Sequence, residues 1–153
     1  MRAVFVALAL SVAACSEPAA PPSAPSAPAA SEAPDPATAS ADVLAASAPL
    51  VSATIGLPVS LSPTTVNIQD DWAWVVAQPQ TPEGGAIDWS ATTFAEDAEL
   101  GVLDGGGTTY VLLKRENGAW RVLDHVVGPT DVAWINWPTQ YGAPAELMGL
   151  PAN

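Results

Sequence analysis

The chemistry that the chain could perform depends first on His125, the single histidine in the sequence. Nucleophilic catalysis by a Ser-His-Asp arrangement requires a histidine as the base. The neighbouring Asp124 cannot orient the imidazole, because successive residues of a strand point to opposite faces. Asp88, Asp131 and Tyr110 are the other partners, and a pocket formed by Tyr110, His125 and Asp131 would be an acid–base site. A hydrogen-bonded structural histidine is the commoner case, and we predict no catalytic residue.

A second group of interest is the aromatic segment that follows Gly128 and Pro129, where the last strand must end. It contains Trp134, Trp137 and Tyr141. Aromatic side chains can stack on sugar rings, so these three residues could form a glycan-binding platform. More commonly such a cluster buries one face of a small sheet. We predict the second role, a hydrophobic plug, and keep the aromatic platform as the alternative.

Acidic residues cluster near position 100 without a recognisable metal motif. Glu96, Asp97, Glu99 and Asp104 could supply oxygen ligands to calcium, but the EF-hand pattern of alternating acids, glycine and a distant glutamate is missing. Residues 104–107 (DGGG) lack the Lys-Ser/Thr ending of a phosphate loop. Zinc is disfavoured because the chain has one histidine and one cysteine. We predict a solvated loop, no metal and no cofactor.

The charge balance excludes one class of partner. The 153 residues contain 4 Lys and Arg against 16 Asp and Glu, which gives a net charge of -12 at pH 7. Nucleic-acid binding needs a basic surface for the phosphate backbone, so we predict no nucleic-acid partner.

All six tryptophans lie from Trp72 onward. A chain of this length has room for one domain, and the aromatic material for its core comes late in the sequence.

The N-terminus has the pattern of an export signal. Arg2 precedes an apolar run over residues 3–12, which is shorter than the roughly 18 to 20 residues of a membrane span. The small residues Ala13 and Ala14 then stand before Cys15, the only cysteine. With no second cysteine, an internal disulfide is excluded.

This arrangement resembles the lipobox of bacterial lipoproteins, which implies cleavage before Cys15 and acylation of its thiol. The resemblance implies a signal peptide over residues 1–14 and attachment to the membrane through the N-terminal lipid, with ordinary signal cleavage as the alternative. Each buried methylene contributes about 0.8 kcal/mol, so two or more acyl chains would anchor the protein. Ser16 after the cysteine resembles the outer-membrane sorting pattern, so we expect an anchor in the outer membrane, facing the periplasm.

Residues 15–42 are rich in Ala, Pro and Ser. Such a stretch cannot bury enough apolar area to offset its ordering entropy, and its prolines favour an extended polyproline II chain. We predict a disordered tether that begins at the lipidated cysteine and reaches on the order of 80 Å at about 3.1 Å per residue. A proline-rich recognition segment is the alternative, and the absence of flanking basic residues disfavours it.

The predicted domain covers residues 43–153 and opens with a helix. Residues 43–55 carry apolar or small side chains at helical spacing, and Gly56 follows as a C-cap. Pro49 would break a helix that began at Val43, but it fits the first turn of a helix capped by Ser47. The sequence therefore predicts a short helix of about two turns.

Strand patterns follow the helix. Residues 57–68, broken by Pro58 and Pro63, favour an extended chain at the edge of a sheet. Residues 72–77 (WAWVVA) alternate between a heavy aromatic face and a small-residue face, as a strand does. Residues 81–107 have the composition of a loop.

The clearest element is a hairpin around Asn117-Gly118, the strongest short-range signal for a type I′ turn. A two-residue loop fixes the register of the two strands. The predicted pairs are Arg115 with Trp120, Leu113 with Val122, Val111 with Asp124, and Tyr110 with His125. One face would carry Val111, Leu113, Trp120, Val122 and Val126, and the other Tyr110, Leu112, Leu123, His125 and Val127. Both faces are apolar, so we predict a hairpin in the middle of a sheet, covered by the helix and by the C-terminal segment.

A short helix followed by an antiparallel sheet of about four strands is an α+β fold, and it resembles the cystatin-like arrangement. Residues 118–122 (GAWRV) look like the last hairpin of NTF2-like folds. Residues 71–75 (DWAWV), the hairpin at Trp120 and residues 128–137 together resemble a group of small exported bacterial proteins of unknown function. The Gln-x-Val-x-Gly loop of inhibitory cystatins is missing after Gln69, so the resemblance does not imply protease inhibition.

Together these features predict a non-catalytic, lipid-anchored domain of the bacterial cell envelope with a binding or structural role. Its acidic surface is expected to meet an envelope protein or peptidoglycan. The alternative is an NTF2-like pocket protein, either a small-molecule carrier or an acid–base enzyme, centred on His125 and Tyr110. A cavity with both residues pointing into it would favour the alternative, and a filled sheet would favour the binding domain.

Overall fold

A long helix precedes four strands in the computed structural model, which describes residues 35–152. The elements are α1 (Pro36–Ile55), β1 (Ser60–Gln69), β2 (Trp72–Gln80), α2 (Ala95–Glu99), β3 (Thr109–Glu116), β4 (Ala119–Val127) and α3 (Trp137–Tyr141). Short 3-10 turns lie at Trp89–Ala91, Asp104–Gly106 and Ala145–Met148. The strands form an antiparallel sheet in the order β1-β2-β3-β4. The predicted α+β class is confirmed.

The two ends of α1 follow from local chemistry. The carboxylate of Asp35 accepts a hydrogen bond of 2.8 Å from the backbone N–H of Ala37, and Pro36 lies in the first turn, where its missing N–H leaves no bond unmade. The helix ends at Gly56, whose φ of +84° is the left-handed conformation that favours glycine. The predicted C-cap is confirmed.

Pro49 lies inside α1 rather than in its first turn. The buried side chains recur every four residues at Ala39, Val43, Ser47, Val51 and Ile55. This continuous packed face holds the helix together on both sides of Pro49, because most helical stability in proteins comes from tertiary packing. Ser47 does not cap the helix, since its buried hydroxyl donates to the carbonyl of Val43 at 2.8 Å. The prediction of a two-turn helix capped by Ser47 is therefore wrong.

The folded domain also begins earlier in the chain than we predicted. Because α1 begins at Pro36, residues 36–42 are helical, and the predicted boundary at Val43 is wrong. The Ala-rich composition that indicated a tether also suits a helix, because alanine is the best helix former. Ala39 is buried in the folded domain. The predicted signal peptide 1–14, Cys15 and the rest of the predicted tether lie outside the described residues.

Within residues 35–152, α1 is the one helix whose length and composition would also suit a membrane span. A core helix of a folded domain meets the same two criteria. Here Val43, Val51 and Ile55 are fully buried and belong to the core that packs on the sheet.

The sheet is packed on both sides. On the side that we call the helix face, Val75, Val111 and Leu113 are fully buried in the core that includes α1. On the other side, the C-terminal face, Trp74 (3% exposed) and Leu112 pack under residues from the last part of the chain. The predicted cover by the helix and the C-terminal segment is confirmed. The β3–β4 hairpin is not wholly internal, however, because β4 is an edge strand.

The register of the hairpin changes partway along β4. The pairs Arg115 with Trp120 and Leu113 with Val122 are confirmed. Leu123 is then left unpaired, and the next pairs are Leu112 with Asp124, Val111 with His125, and Tyr110 with Val126. The predicted pairs of Val111 with Asp124 and of Tyr110 with His125 are wrong. The cause is a β-bulge, whose extra residue turns every later side chain to the opposite face.

The bulge reassigns the end of β4 to different faces of the sheet. Val127 joins the core on the helix face, whereas Val126 packs with the core on the C-terminal face. His125 follows Val127 to the helix face, where it contacts Thr54 of α1. The predicted grouping of Val126 with Val111, and of His125 with Tyr110, is therefore wrong.

The turn of the hairpin has the predicted geometry, since φ is +52° at Asn117 and +81° at Gly118. Gly118→Val should lower the free energy of unfolding by about 1 to 2 kcal/mol, because a β-branched residue is strained in the left-handed region. A Cβ atom at this position would meet no other atom within 4 Å, so the loss measures backbone strain alone. Denaturant titration checks it, with Ala119→Val as the matched exposed control in β4. Equal stability of the two variants would refute the strained turn.

The connection between β2 and β3 is packed against the sheet through Trp89. Its ring contacts Phe94 edge-on, with centroids 6.2 Å apart, and lies directly over the buried Gly107. The backbone N–H of Asp104 donates to the carbonyl of Gly128 at 3.0 Å. The connection is therefore fastened to the start of β3 and the end of β4, and it contains α2 and two 3-10 turns where a plain loop was predicted.

Candidate functional site

His125 lies on the helix face, partly buried, with its Nε2 atom 2.7 Å from the hydroxyl of Thr54. Burial lowers the pKa of His125, and the nearby carboxylate of Asp124 opposes the shift. Burial therefore favours the neutral form of the imidazole. The hydrogen bond to Thr54 ties α1 to β4, which is the structural role that we predicted as the commoner one.

Asp124 makes no bond to the imidazole of His125. One of its oxygens accepts the backbone N–H of His125 at 2.8 Å, and the other accepts the hydroxyl of Tyr141 at 2.7 Å. This hydrogen bond, with some burial, raises the pKa of Tyr141. The carboxylate therefore joins α3 to β4 on the C-terminal face.

The predicted pocket of Tyr110, His125 and Asp131 does not assemble. Tyr110 lies on the C-terminal face, where its ring stacks on Trp134 with centroids 4.0 Å apart and planes 25° apart. His125 lies on the helix face, so the β3–β4 pair separates the two side chains. Tyr110 and Asp131 do line a common cleft, and His125 is absent from its lining.

The aromatic residues of the C-terminal segment pack inward. Trp137 is 5% exposed, and its ring lies 5.8 Å from that of Trp74, nearly perpendicular to it. Trp134 also packs on Trp74, at 5.5 Å between ring centroids, and Tyr141 contacts Trp137 edge-on at 6.5 Å. Trp137 cannot stack on a sugar ring while it is buried in this way. The geometry of the three predicted platform residues fits the plug.

One concave surface near these aromatic residues carries charged groups. This acidic cleft, of about 270 Å³, is lined by Tyr110 and Trp134, by residues 129–132 and by Asp104. A cavity of about 30 Å³ shares Asp104, Tyr110 and Pro129 with it. The carboxylate of Asp131 accepts the backbone N–H of Val132 at 2.7 Å. A cleft lined by both aromatic rings and carboxylates can hold a cationic group.

A second cleft, of about 340 Å³, lies between α3 and the last 3-10 turn and is lined mainly by small or uncharged side chains. Glu146 is its one ionisable side chain. Ligand pockets orient their ligands through several convergent polar groups, and this cleft offers few of them. It is the weaker candidate.

No metal centre is evident in the part of the chain that the structure describes. Among residues 35–152, no three of the His, Cys, Asp and Glu side chains come together as a metal site. The acidic residues Glu96, Asp97 and Glu99 are exposed at α2. Asp104 instead lines the acidic cleft.

Two partners in these arrangements were not predicted. Asp104, a candidate calcium ligand in the sequence, instead lines the same cleft as Asp131. The pairing of Thr109 with Val127 brings the loops before β3 and after β4 together, so the hairpin register contained that signal. Thr54 had no such signal, because its contact with His125 depends on how α1 lies on the sheet.

In comparisons with known proteins, no family model matches the sequence, no curated protein matches it, and no solved structure matches the fold. The resemblances to cystatin-like and NTF2-like folds and to bacterial lipoproteins stay predictions.

Proposed function

We propose that the chain is a non-catalytic binding or structural domain of the bacterial cell envelope, held at a membrane by a lipid on Cys15. The observation that carries this proposal is the filling of the sheet on both faces. Val111, Leu112 and Leu113 of β3 are fully buried, and the single histidine is hydrogen-bonded to Thr54 of α1. Among the described residues, His125 is engaged with Thr54 and does not line the acidic cleft, which favours binding at the surface over catalysis.

The proposed location rests on the sequence before the domain. The apolar run that ends in Ala13-Ala14-Cys15 supports export and acylation. Ser16 supports delivery to the outer membrane, and the Ala/Pro/Ser-rich segment supports a spacer between lipid and domain. An anchored domain in the periplasm would meet envelope proteins and peptidoglycan, which are the proposed partners.

The pocket alternative needs Tyr110 and His125 in one cavity. They lie on opposite faces of the sheet, and Tyr110 is stacked on Trp134. We therefore do not propose a carrier or an enzyme centred on these two residues.

Photo-crosslinking in bacterial cells that export the chain tests the proposal. A photoreactive residue at Val132, which is 40% exposed and lines the acidic cleft, should give one dominant product with an envelope protein or peptidoglycan. Cys15→Ser in the same chain should abolish labelling by palmitate, move the chain out of the membrane fraction and remove that product.

The matched control is a photoreactive residue at Ala119, which is exposed at the opposite end of the sheet. It should not give the product obtained at Val132. The same products from both positions would contradict a binding surface at the cleft. Continued palmitate labelling of the Cys15→Ser chain would contradict the lipid anchor.

A further inference from the structure

We propose that the acidic cleft receives a lysine or arginine side chain from a basic segment of a protein partner. This inference rests on the proposed function, in which the chain is a binding domain, and names the chemistry of its partner. The juxtaposition that carries it is a stacked pair of aromatic rings that lines one cleft with two exposed carboxylates, Asp104 and Asp131, with no cation of the described chain in the lining.

The aromatic part of the cleft suits the stem of a long basic side chain. Tyr110 and Trp134 both line it, stacked with their centroids 4.0 Å apart. Lysine and arginine lay their methylene stems along apolar surfaces and place their cations beside aromatic rings. The cleft, of about 270 Å³, has room for such a side chain.

The two carboxylates are positioned by their own loops. Asp104 accepts the backbone N–H of Gly105 at 2.8 Å, and Asp131 accepts that of Val132 at 2.7 Å. In both residues the same oxygen, Oδ1, makes this bond, and over residues 35–152 neither Oδ2 atom has a hydrogen-bond partner. Each carboxylate thus keeps an oxygen free for an N–H donor, and charge-assisted bonds of this kind are about twice as strong as neutral ones.

The basic residues of the domain all lie at the other end of the sheet. Lys114 lies over the ring of Trp72, with its Nζ atom 4.8 Å from the centroid. Arg115 lies over Trp120 at 4.4 Å, and Arg121 pairs with Glu116 at 3.4 Å. The three cations are therefore occupied around the β3–β4 turn and do not neutralise the cleft.

At the end of the sheet that carries the cleft, the connecting segments have acidic residues and no basic residues that would balance their charge. The two connecting segments there, 81–108 and 128–136, contain no Lys or Arg. Their acidic residues are Glu83, Asp88, Glu96, Asp97, Glu99, Asp104 and Asp131. The cation of a basic side chain complements this excess of negative charge.

An apolar residue at the cleft indicates that the cation belongs to a protein segment. Val132 lines the cleft and is 40% exposed. A free polyamine would leave such an apolar side chain uncovered. Hydrophobic residues beside the lysine or arginine of a partner could cover it, as the apolar centre of a protein interface does.

A titration with a labelled hexalysine peptide tests the proposal on the full chain, purified in detergent. Fluorescence anisotropy should show saturable binding that weakens with salt. Asp104→Asn combined with Asp131→Asn should weaken it at least about tenfold, the loss expected for charge-assisted contacts. Glu96→Gln combined with Glu99→Gln removes the same charge at exposed sites on α2 and should change affinity less than about twofold. Unchanged melting midpoints would show that both double variants remain folded.

Three results would overturn the proposal: no binding of hexalysine, equal weakening by both double variants, or spermidine binding as tightly as the peptide. No binding of hexalysine would show that the cleft is not a cation site. Equal weakening by both double variants would show that binding depends on overall negative charge and not on the cleft. Tight binding of spermidine would show that the ligand is a small amine and not a protein segment. If hexalysine bound but the photoreactive residue at Val132 gave no specific product, the cation site would be supported and the proposed envelope role would be contradicted.

Discussion

Removal of residues 129–153 should give a chain that is unfolded or aggregated. The deleted segment contains Trp137, Leu147 and Met148, all buried, and its loss would expose Trp74 and Leu112 at the centre of the sheet. A small domain has a total stability of about 5 to 15 kcal/mol, and one buried tryptophan replaced by alanine typically loses about 3 to 5 kcal/mol. Circular dichroism and thermal unfolding of the full and shortened chains would measure the effect.

Single substitutions make the same test without deleting chain. Trp137→Ala should lower the free energy of unfolding by about 3 to 5 kcal/mol, and Trp134→Ala should also lower the midpoint sharply, because its ring stacks on Tyr110. Ile135→Ala is the control from the same segment, since Ile135 is exposed, and should change stability by less than about 0.5 kcal/mol. If the shortened chain melted within a degree or two of the full chain, the plug would be refuted and the aromatic platform restored.

Gly107→Ala should destabilise the domain by about 2 to 4 kcal/mol, from two sources. The φ of Gly107 is +86°, which costs an alanine about 1 to 2 kcal/mol. Its new methyl group would also overlap ring carbons of Trp89. That ring packs on Phe94, so it cannot move away freely. Chemical denaturation followed by tryptophan fluorescence is the measurement.

Gly106→Ala separates the two sources. Gly106 also has a positive φ, of +65°, but a Cβ atom there would meet nothing within 4 Å. It should therefore show the backbone penalty alone, about 1 to 2 kcal/mol. Equal losses for the two variants would mean that the overlap with Trp89 contributes nothing and that the connection adapts to it.

Local chemistry predicted the elements whose geometry is set by a few neighbouring residues. Asn117-Gly118 predicted the turn, Gly56 predicted the end of α1, and the alternating pattern after Asp71 predicted β2. The errors came where packing over a distance decides. Pro49 is tolerated because the buried face of α1 continues past it, and no window of a few residues reveals that face.

The bulge at Leu123 matters most for the candidate site, because the predicted register did not include it. A two-residue turn alone predicts an unchanged register as far as the pair of Tyr110 with His125. An extra residue can enter wherever both faces of a strand are apolar, because the sequence pattern then does not penalise the reversal. Of the predicted pocket residues, Tyr110 and Asp131 line one cleft, whereas the bulge places His125 on the opposite face of the sheet.

Both outer strands of the sheet are interrupted. β1 has an irregularity between Pro63 and Thr65, and β4 has the bulge at Leu123. An unbroken outer strand offers a row of N–H and C=O groups on which a strand of another molecule can be added, and bulges and prolines suppress that addition. A lipid anchor, as we propose it, would crowd many copies into one plane. With no smooth outer strand to share, neighbouring copies should remain separate at densities that would drive other sheet proteins to aggregate.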